Sequence, residues 1–336
     1  MSLLPFLHRV ASRADLTVDD ARSAMNVLLA GEASPVEIAA FLVALKMKGE
    51  TAAELAGFAR GMRENMIAVD AGDGVVDNCG TGGDGSGTFN ISTTAAFVLA
   101  GAGARVAKHG NRSISSATGA ADVLEALGLR VTATAAEAAA LIREVGIGFL
   151  FAPAFHPAIR HVQPVRRELK MRTVFNLLGP LANPAGARRQ VIGAPSVDGA
   201  ELMAEALRML GTVRAFVVHG HGGLDEISTT GPTDVFEVVG DSVTRRVWEP
   251  EDFGVARAEM SALLGGDAMH NAGIVRAILD GEVGPRRDIV VANAAAGLMA
   301  AGLATDLRSG VAMASKSIDS GAARGKLEAL HERCGA

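Results

Sequence analysis

Residues 74–110 read GVVDNCGTGGDGSGTFNISTTAAFVLAGAGARVAKHG, and their order of elements decides the fold. GVVDNCG is a short apolar run with strand character, STTAAFVLAGAG reads as a helix, and ARVAKHG is a second strand. Between the first strand and the helix lie five glycines from Gly80 to Gly87, with the single acid Asp84 among them. The alternation continues through the helical SSATGAADVLEALG, then LRVTAT, IGFLFAP, RQVIGAP and RAFVVHG as further strands. Such a series predicts an α/β fold with a mainly parallel central sheet flanked by helices. Sites in these folds lie beyond the carboxyl ends of the strands. Attention therefore falls on the residues after VVDNCG, RVAKHG, FLFAP and FVVHG.

Outward from this unit the pattern changes. Thr17, Ser34 and Thr51 each stand at a helix start with an acid three residues on, and Pro35 takes a tolerated first-turn position. Gly31 and Gly49 mark the ends of the first two helices. The chain divides on this reading into a helical domain over 1–70, with part of 157–184 packed on it, and an α/β domain over 71–336. Three short helices bury little core alone, so a subunit interface is expected on them. A polar, strand-like stretch follows Ser228, and helices return from about Asn271.

Composition narrows the function. The 336 residues hold 32 Lys plus Arg against 37 Asp plus Glu, a formal net charge of -5, and contain no Tyr and one Trp. That balance argues against a general nucleic-acid binder or a base-stacking surface. Cys79 and Cys334 suit a reducing compartment. With no signal-like N-terminus and no apolar run of membrane-spanning length, the expectation is a cytoplasmic protein that engages no membrane.

Four elements carry chemistry. The glycine loop formally matches a dinucleotide fingerprint, yet no helix opens at once and the region 20 residues on is basic rather than acidic. No Gly-Lys-Ser/Thr follows, which excludes a P-loop. An anion nest of backbone amides remains, with Asn90, Ser92 and Thr93 at the next helix start, where they can cap it or offer hydroxyls to an anion. The second element is KHGNRSISS, Lys108 to Ser116, whose charges and hydroxyls suit several phosphate oxygens; Arg112 also reads as a surface charge and His109 as a core histidine. The third is the pair Asp225-Glu226, loop acids that with a diphosphate nearby suit Mg²⁺. The fourth is the Arg166, Arg167, Lys170 helix, either a solvated basic face or a grip on an aromatic carboxylate.

Taken together, GTGGD (80–84), NIST (90–93), KHGNRS (108–113), RTVFNLLGPLANP and LDEISTTGP resemble the anthranilate phosphoribosyltransferases over essentially the whole chain. The resemblance implies a nucleoside phosphorylase/phosphoribosyltransferase-like fold, a small helical domain joined to a larger α/β domain, and homodimers formed through the helical part. It implies a reaction of anthranilate with phosphoribosyl diphosphate (PRPP) and Mg²⁺. Carried over by position, Gly80, Gly83, Asp84, Thr88, Asn90, Ile91, Ser92 and Thr93 would hold PRPP. Lys108, His109, Gly110, Asn111, Arg112, Ser113, Ile114, Ser115, Ser116 and Ala120 would close over its phosphates. Ser92, Asp225 and Glu226 would serve Mg²⁺, and Gly80, Asn111 and Arg166 would meet anthranilate. Lys108, His109 and Asp84 are the expected catalytic groups. Two positions depart from the family pattern. Cys79 replaces an aliphatic residue, and Ala120 stands where a phosphate-contacting serine is usual, a lost hydroxyl contact worth about 1 kcal/mol. The rival readings are a pyrimidine-nucleoside phosphorylase, which would not need Asp225-Glu226, and a nucleic-acid-binding relative, which would show a degraded loop and a basic surface.

Overall fold

A computed structural model describes residues 2–112 and 118–335. It opens with α1 (Leu4–Ala11), α2 (Val18–Ala30), α3 (Pro35–Lys48) and α4 (Ala52–Glu64). The three anticipated starts are closed by capping boxes. In each, Thr17, Ser34 or Thr51 accepts the amide three residues on, and the acid there accepts the cap residue's own amide. Gly31 ends α2 at φ 73°, a left-handed position that a side chain would strain. Helix α1 has no such signal, because Leu3 occupies its cap position without a side-chain bond.

Next come β1 (Val76–Gly80), α5 (Ile91–Gly101), β2 (Val106–Gly110), α6 (Ala120–Ala126), α7 (Ala135–Glu144) and β3 (Ile147–Phe151). Short helices α8 (Ala152–Phe155), α9 (Gln163–Leu169) and α10 (Phe175–Leu178) lead to β4 (Arg189–Gly193), α11 (Val197–Met209) and β5 (Arg214–Gly220). The hairpin β6 (Thr233–Val239) and β7 (Ser242–Trp248) precedes α12 (Ala268–Leu279), α13 (Pro285–Ala301), α14 (Leu307–Asp319) and α15 (Ala322–Cys334). The sheet order is β3-β2-β1-β4-β5-β6-β7, parallel from β3 to β5 and antiparallel at β6 and β7. The expected α/β architecture, a small helical domain with a larger domain around a mostly parallel sheet, is present.

LRVTAT is a correction. Leu129 makes only an isolated bridge to Gly335, and Thr134 serves as the N-cap of α7. Six residues between two helices are used up as a connection, and Leu129 and Val131 bury in the core layer that contains α5 and α15 instead of pairing with β3.

Alternation along the strands divides the core. Phe216 and Val218 of β5 face the layer of α5, α6 and α12–α15, whereas Val217 faces α1–α4 and α11. The helical domain is thereby continuous with one face of the sheet. Among the described residues, no helix is long and apolar enough to cross a membrane.

Candidate active site

The loops after β1, β2 and β5 converge at the carboxyl edge of the sheet. The glycine loop runs from β1 to α5, with Gly82, Gly83, Gly85 and Gly87 all at positive φ. Gly80 needs its missing side chain for a different reason, since a Cβ there would overlap the Asp225 carboxylate. Gly193 at the end of β4 is likewise filled by the Asp225 backbone. The acid pair is therefore driven into the sheet edge rather than left on an open loop.

From there Asp225 Oδ2 accepts the Gly82 amide at 2.7 Å, and Glu226 Oε1 accepts the Ser92 amide at 3.1 Å. Burial, reinforced by Asp84, raises the Asp225 pKa to about 6. Burial and then Asp225 push Glu226 to about 8, against the pull of Lys108 and the Ser92 amide. Lys108, buried on β2, donates from Nζ to the Asn78 carbonyl at 2.6 Å. Burial lowers its pKa, and Asp77, Cys79, Glu226 and Asp225 oppose that shift. A cluster of carboxylates that resists ionisation suits a cation. Among the described residues no set of three or more His, Cys, Asp or Glu forms a metal cage. Mg²⁺ commonly takes one or two carboxylates and completes its shell with phosphate and water, so a pair of acids facing a glycine loop fits.

His109 follows Lys108 on the same strand and turns to the opposite face. Its Nδ1 pairs with the Gly179 carbonyl at 3.0 Å, and its ring lies 5.2 Å from that of His156. Burial brings the two pKa values down to about 3 and about 4. Both rings are neutral at pH 7, and both Nε2 atoms are buried without a partner among the described residues. The structure thus separates Lys108 and His109 rather than bringing them together.

Ile91 and Thr93 are buried, so their side chains serve the core, and the Ile91 amide donates to the Phe89 carbonyl at 2.7 Å. Asn90 is the α5 cap residue but makes no side-chain cap bond. Its side chain instead joins the Thr118 carbonyl and Asn271, correcting the capping expectation. Thr88 pairs with Ser86, whose amide meets Asp84. Asn111 is exposed, and Gly110 packs against Phe149 and Ala120. Arg112 is committed to Asp122 at 2.9 Å and Glu125 at 2.6 Å. Ser113, Ile114, Ser115 and Ser116 lie outside the described residues. Arg166 bonds Gln163 and stacks over Phe175 at 5.0 Å, and burial lowers its pKa. Lys170 leaves the helix face, because it is the left-handed C-cap of α9.

Three contributors escaped the sequence reading: His156, Asn271 and Arg172. Each follows a sheet edge or sits in a motif, FHPAIRH, GGDAMHNAG or RTVFN, but their partners are distant in sequence. Arg172 Nη1 donates to the carbonyls of Gly82 and Gly83 at 3.2 and 3.1 Å.

A helical bundle on a mostly parallel sheet, with a glycine loop facing buried acids, is the architecture of a glycosyl transferase family. Residues 4–66 match a model described as the helical bundle domain of a glycosyl transferase family, and residues 72–324 match that family's a/b domain. An anthranilate phosphoribosyltransferase of Solibacter usitatus (strain Ellin6076) is 59% identical over 98% of both chains. One from Chloroflexus aurantiacus (strain ATCC 29366 / DSM 635 / J-10-fl) is 54% identical over 98% of both. The crystal structure of the Thermus thermophilus enzyme superposes with a TM-score of 0.93 at 45% identity, covering 97% of this chain and 98% of that one. The Saccharomyces cerevisiae enzyme in complex with PRPP and Mg gives a TM-score of 0.90 at 30% identity, covering 98% and 97%. The chain belongs to the anthranilate phosphoribosyltransferase family.

Proposed function

We propose that the protein transfers the 5-phosphoribosyl group of PRPP to the amine of anthranilate, giving N-(5-phosphoribosyl)anthranilate and diphosphate in tryptophan biosynthesis. The observation that carries this reading is the placement of Asp225 and Glu226. They accept amides from the glycine loop and from the first turn of α5, so acids, loop and helix start meet at one point. Gly80, Gly83, Asp84, Thr88 and residues 90–93 hold PRPP, joined by Lys108 and the run to Ser116 and Ala120. Ser92, Asp225 and Glu226 hold Mg²⁺, which when bound neutralises the departing diphosphate. Gly80, Asn111 and Arg166 meet anthranilate.

The residues of this chain bind and orient. Loss of diphosphate builds positive charge on the ribose ring and negative charge on the leaving group, so stabilisation of that group and alignment of the amine lower the barrier. Lys108 adds positive charge behind the loop. Anthranilate's aromatic amine is neutral at pH 7 and needs no strong base before attack. The unpartnered Nε2 atoms of His109 and His156 suit its N–H groups as acceptors, which orients the amine.

The protein works as a cytoplasmic homodimer through its helical domain. Helix α3 buries Ile38, Phe41, Leu42 and Leu45 on one side. On the other it presents Val36 and Met47, which are 78% and 73% exposed, at helical spacing with Ala40 and Val43. A helix apolar on both sides suits burial on both.

The test mixes purified protein with PRPP, Mg²⁺ and anthranilate and follows anthranilate fluorescence. Loss of fluorescence that depends on all three is expected. No loss, with phosphorolysis of a pyrimidine nucleoside instead, would overturn the reading.

A further inference from the structure

The glycine loop is held from two sides. On one, the Gly82 amide donates to Asp225. On the other, Arg172 Nη1 donates to the carbonyls of both Gly82 and Gly83 across about 90 residues of chain. Gly82 and Gly83 are left-handed at φ 69° and 73°, and no peptide bond in the described chain is cis. In a planar trans peptide the carbonyl of one residue points opposite to the N–H of the next. Fixing the Gly82 carbonyl therefore directs the Gly83 amide away from Arg172, and fixing the Gly83 carbonyl directs the Asp84 amide away as well. These two bonds do not satisfy the whole guanidinium. Its Nη2 is buried with no partner among the described residues, an arrangement that costs stability.

We infer that Arg172 is a positioning residue, which aims the Gly83 and Asp84 amides at phosphate oxygens of the phosphoribosyl donor by holding the carbonyls behind them. The inference rests on the phosphoribosyl-transfer reading above. It also joins the two substrates' sides. Arg172 lies three residues beyond α9, the helix that carries Arg166 and packs on α3.

Arg172→Ala and Arg172→Lys in the full chain test this. In Arg172→Ala the KM for PRPP should rise about tenfold or more, the size of one lost charge-assisted bond, with the KM for anthranilate within about twofold of the parent. Arg172→Lys, which keeps a cationic donor for the two carbonyls, should recover most of that loss. A purely structural role predicts a lower melting temperature with no split between the two KM values and no rescue by lysine, and that result would overturn the assignment. So would an unchanged KM for PRPP in Arg172→Ala. Should Arg172→Ala fail to fold, Arg172→Lys decides: a KM for PRPP between parent and tenfold, at parental thermal stability, is expected, and a rise in both KM values overturns it. Calorimetric titration with PRPP and Mg²⁺ reads the same loss without turnover. A parent chain inactive on anthranilate would therefore sink the reaction, while that titration still decides Arg172.

Discussion

Glu226 accepts the amide of Ser92 at 3.1 Å across 134 residues, closing the first turn of α5 with a carboxylate from the loop after β5. A helix start usually favours an anion, yet burial and the neighbouring Asp225 outweigh it and hold Glu226 at about 8. A carboxyl whose pKa is raised by folding contributes its stability while protonated, and the contribution is lost as pH rises through about 6 for Asp225 and about 8 for Glu226. A cation favours the ionised form, so its binding expels protons. Titration of PRPP with Mg²⁺ near pH 7, in buffers of different ionisation enthalpy, should show about one proton released per site. Affinity should strengthen between about pH 6 and about pH 8. Glu226→Gln should lower the release and separate it from titration of the substrate's own phosphates. Equal release in parent and variant would defeat the assignment.

Gly80 sits under Asp225 with no room for a Cβ. Gly80→Ala should push the Asp225 carboxylate off the Gly82 amide and misplace it for the cation. The expected result is a rise of about tenfold or more in the Mg²⁺ concentration that supports half-maximal turnover, from loss of one hydrogen bond to a charged group. Parental Mg²⁺ dependence in a folded Gly80→Ala protein would contradict this account.

What the sequence disclosed follows the range of the interactions. The three capping boxes, the βα units and the glycine loop are set by residues a few positions apart, and they were legible. The Asp225-Glu226 pair was legible as chemistry, but its depth was not, because Gly80 and Gly193 make the space from other strands. Arg172 with Gly82 and Asn90 with Asn271 meet over 90 and 181 residues, beyond any local pattern. The divergence of Lys108 from His109 was available in principle, since neighbours on a strand face opposite ways. LRVTAT has the composition of a strand, yet tertiary burial of Leu129 and Val131 overrode that propensity.

Glu54 in the helical domain should matter for stability rather than chemistry. It is fully buried, closes the α4 capping box, accepts the Leu16 amide at 2.9 Å and pairs with Lys48 at 2.9 Å. Glu54→Ala leaves two amides without that acceptor, while Lys48 keeps Asp15 and the Gly49 carbonyl, a loss of about 2–4 kcal/mol. Lys48→Ala should cost less, because the Glu54 carboxylate keeps its amide donors. Denaturant unfolding measures both, and equal costs would contradict the ranking.

Val36 and Met47 lie eleven positions apart on α3, three helical turns, on the side away from Phe41 and Leu45. Solvent gives no reason for two large apolar side chains to stand there, and the buried side of the helix does not need them. A second copy of the chain would cover them with its own α3 across a two-fold axis. Glutamates placed at both positions would then face their own copies, adding like-charge repulsion to the loss of apolar contact. Val36→Glu with Met47→Glu should convert a dimer to a monomer in analytical ultracentrifugation at micromolar concentration. Circular dichroism should stay parental, since neither side chain reaches the core. The Arg172 loop and the acid pair lie outside this surface, so the monomer should keep the parental KM for PRPP. A parent chain that sediments as a monomer, or a variant that remains dimeric, would move the interface away from α3.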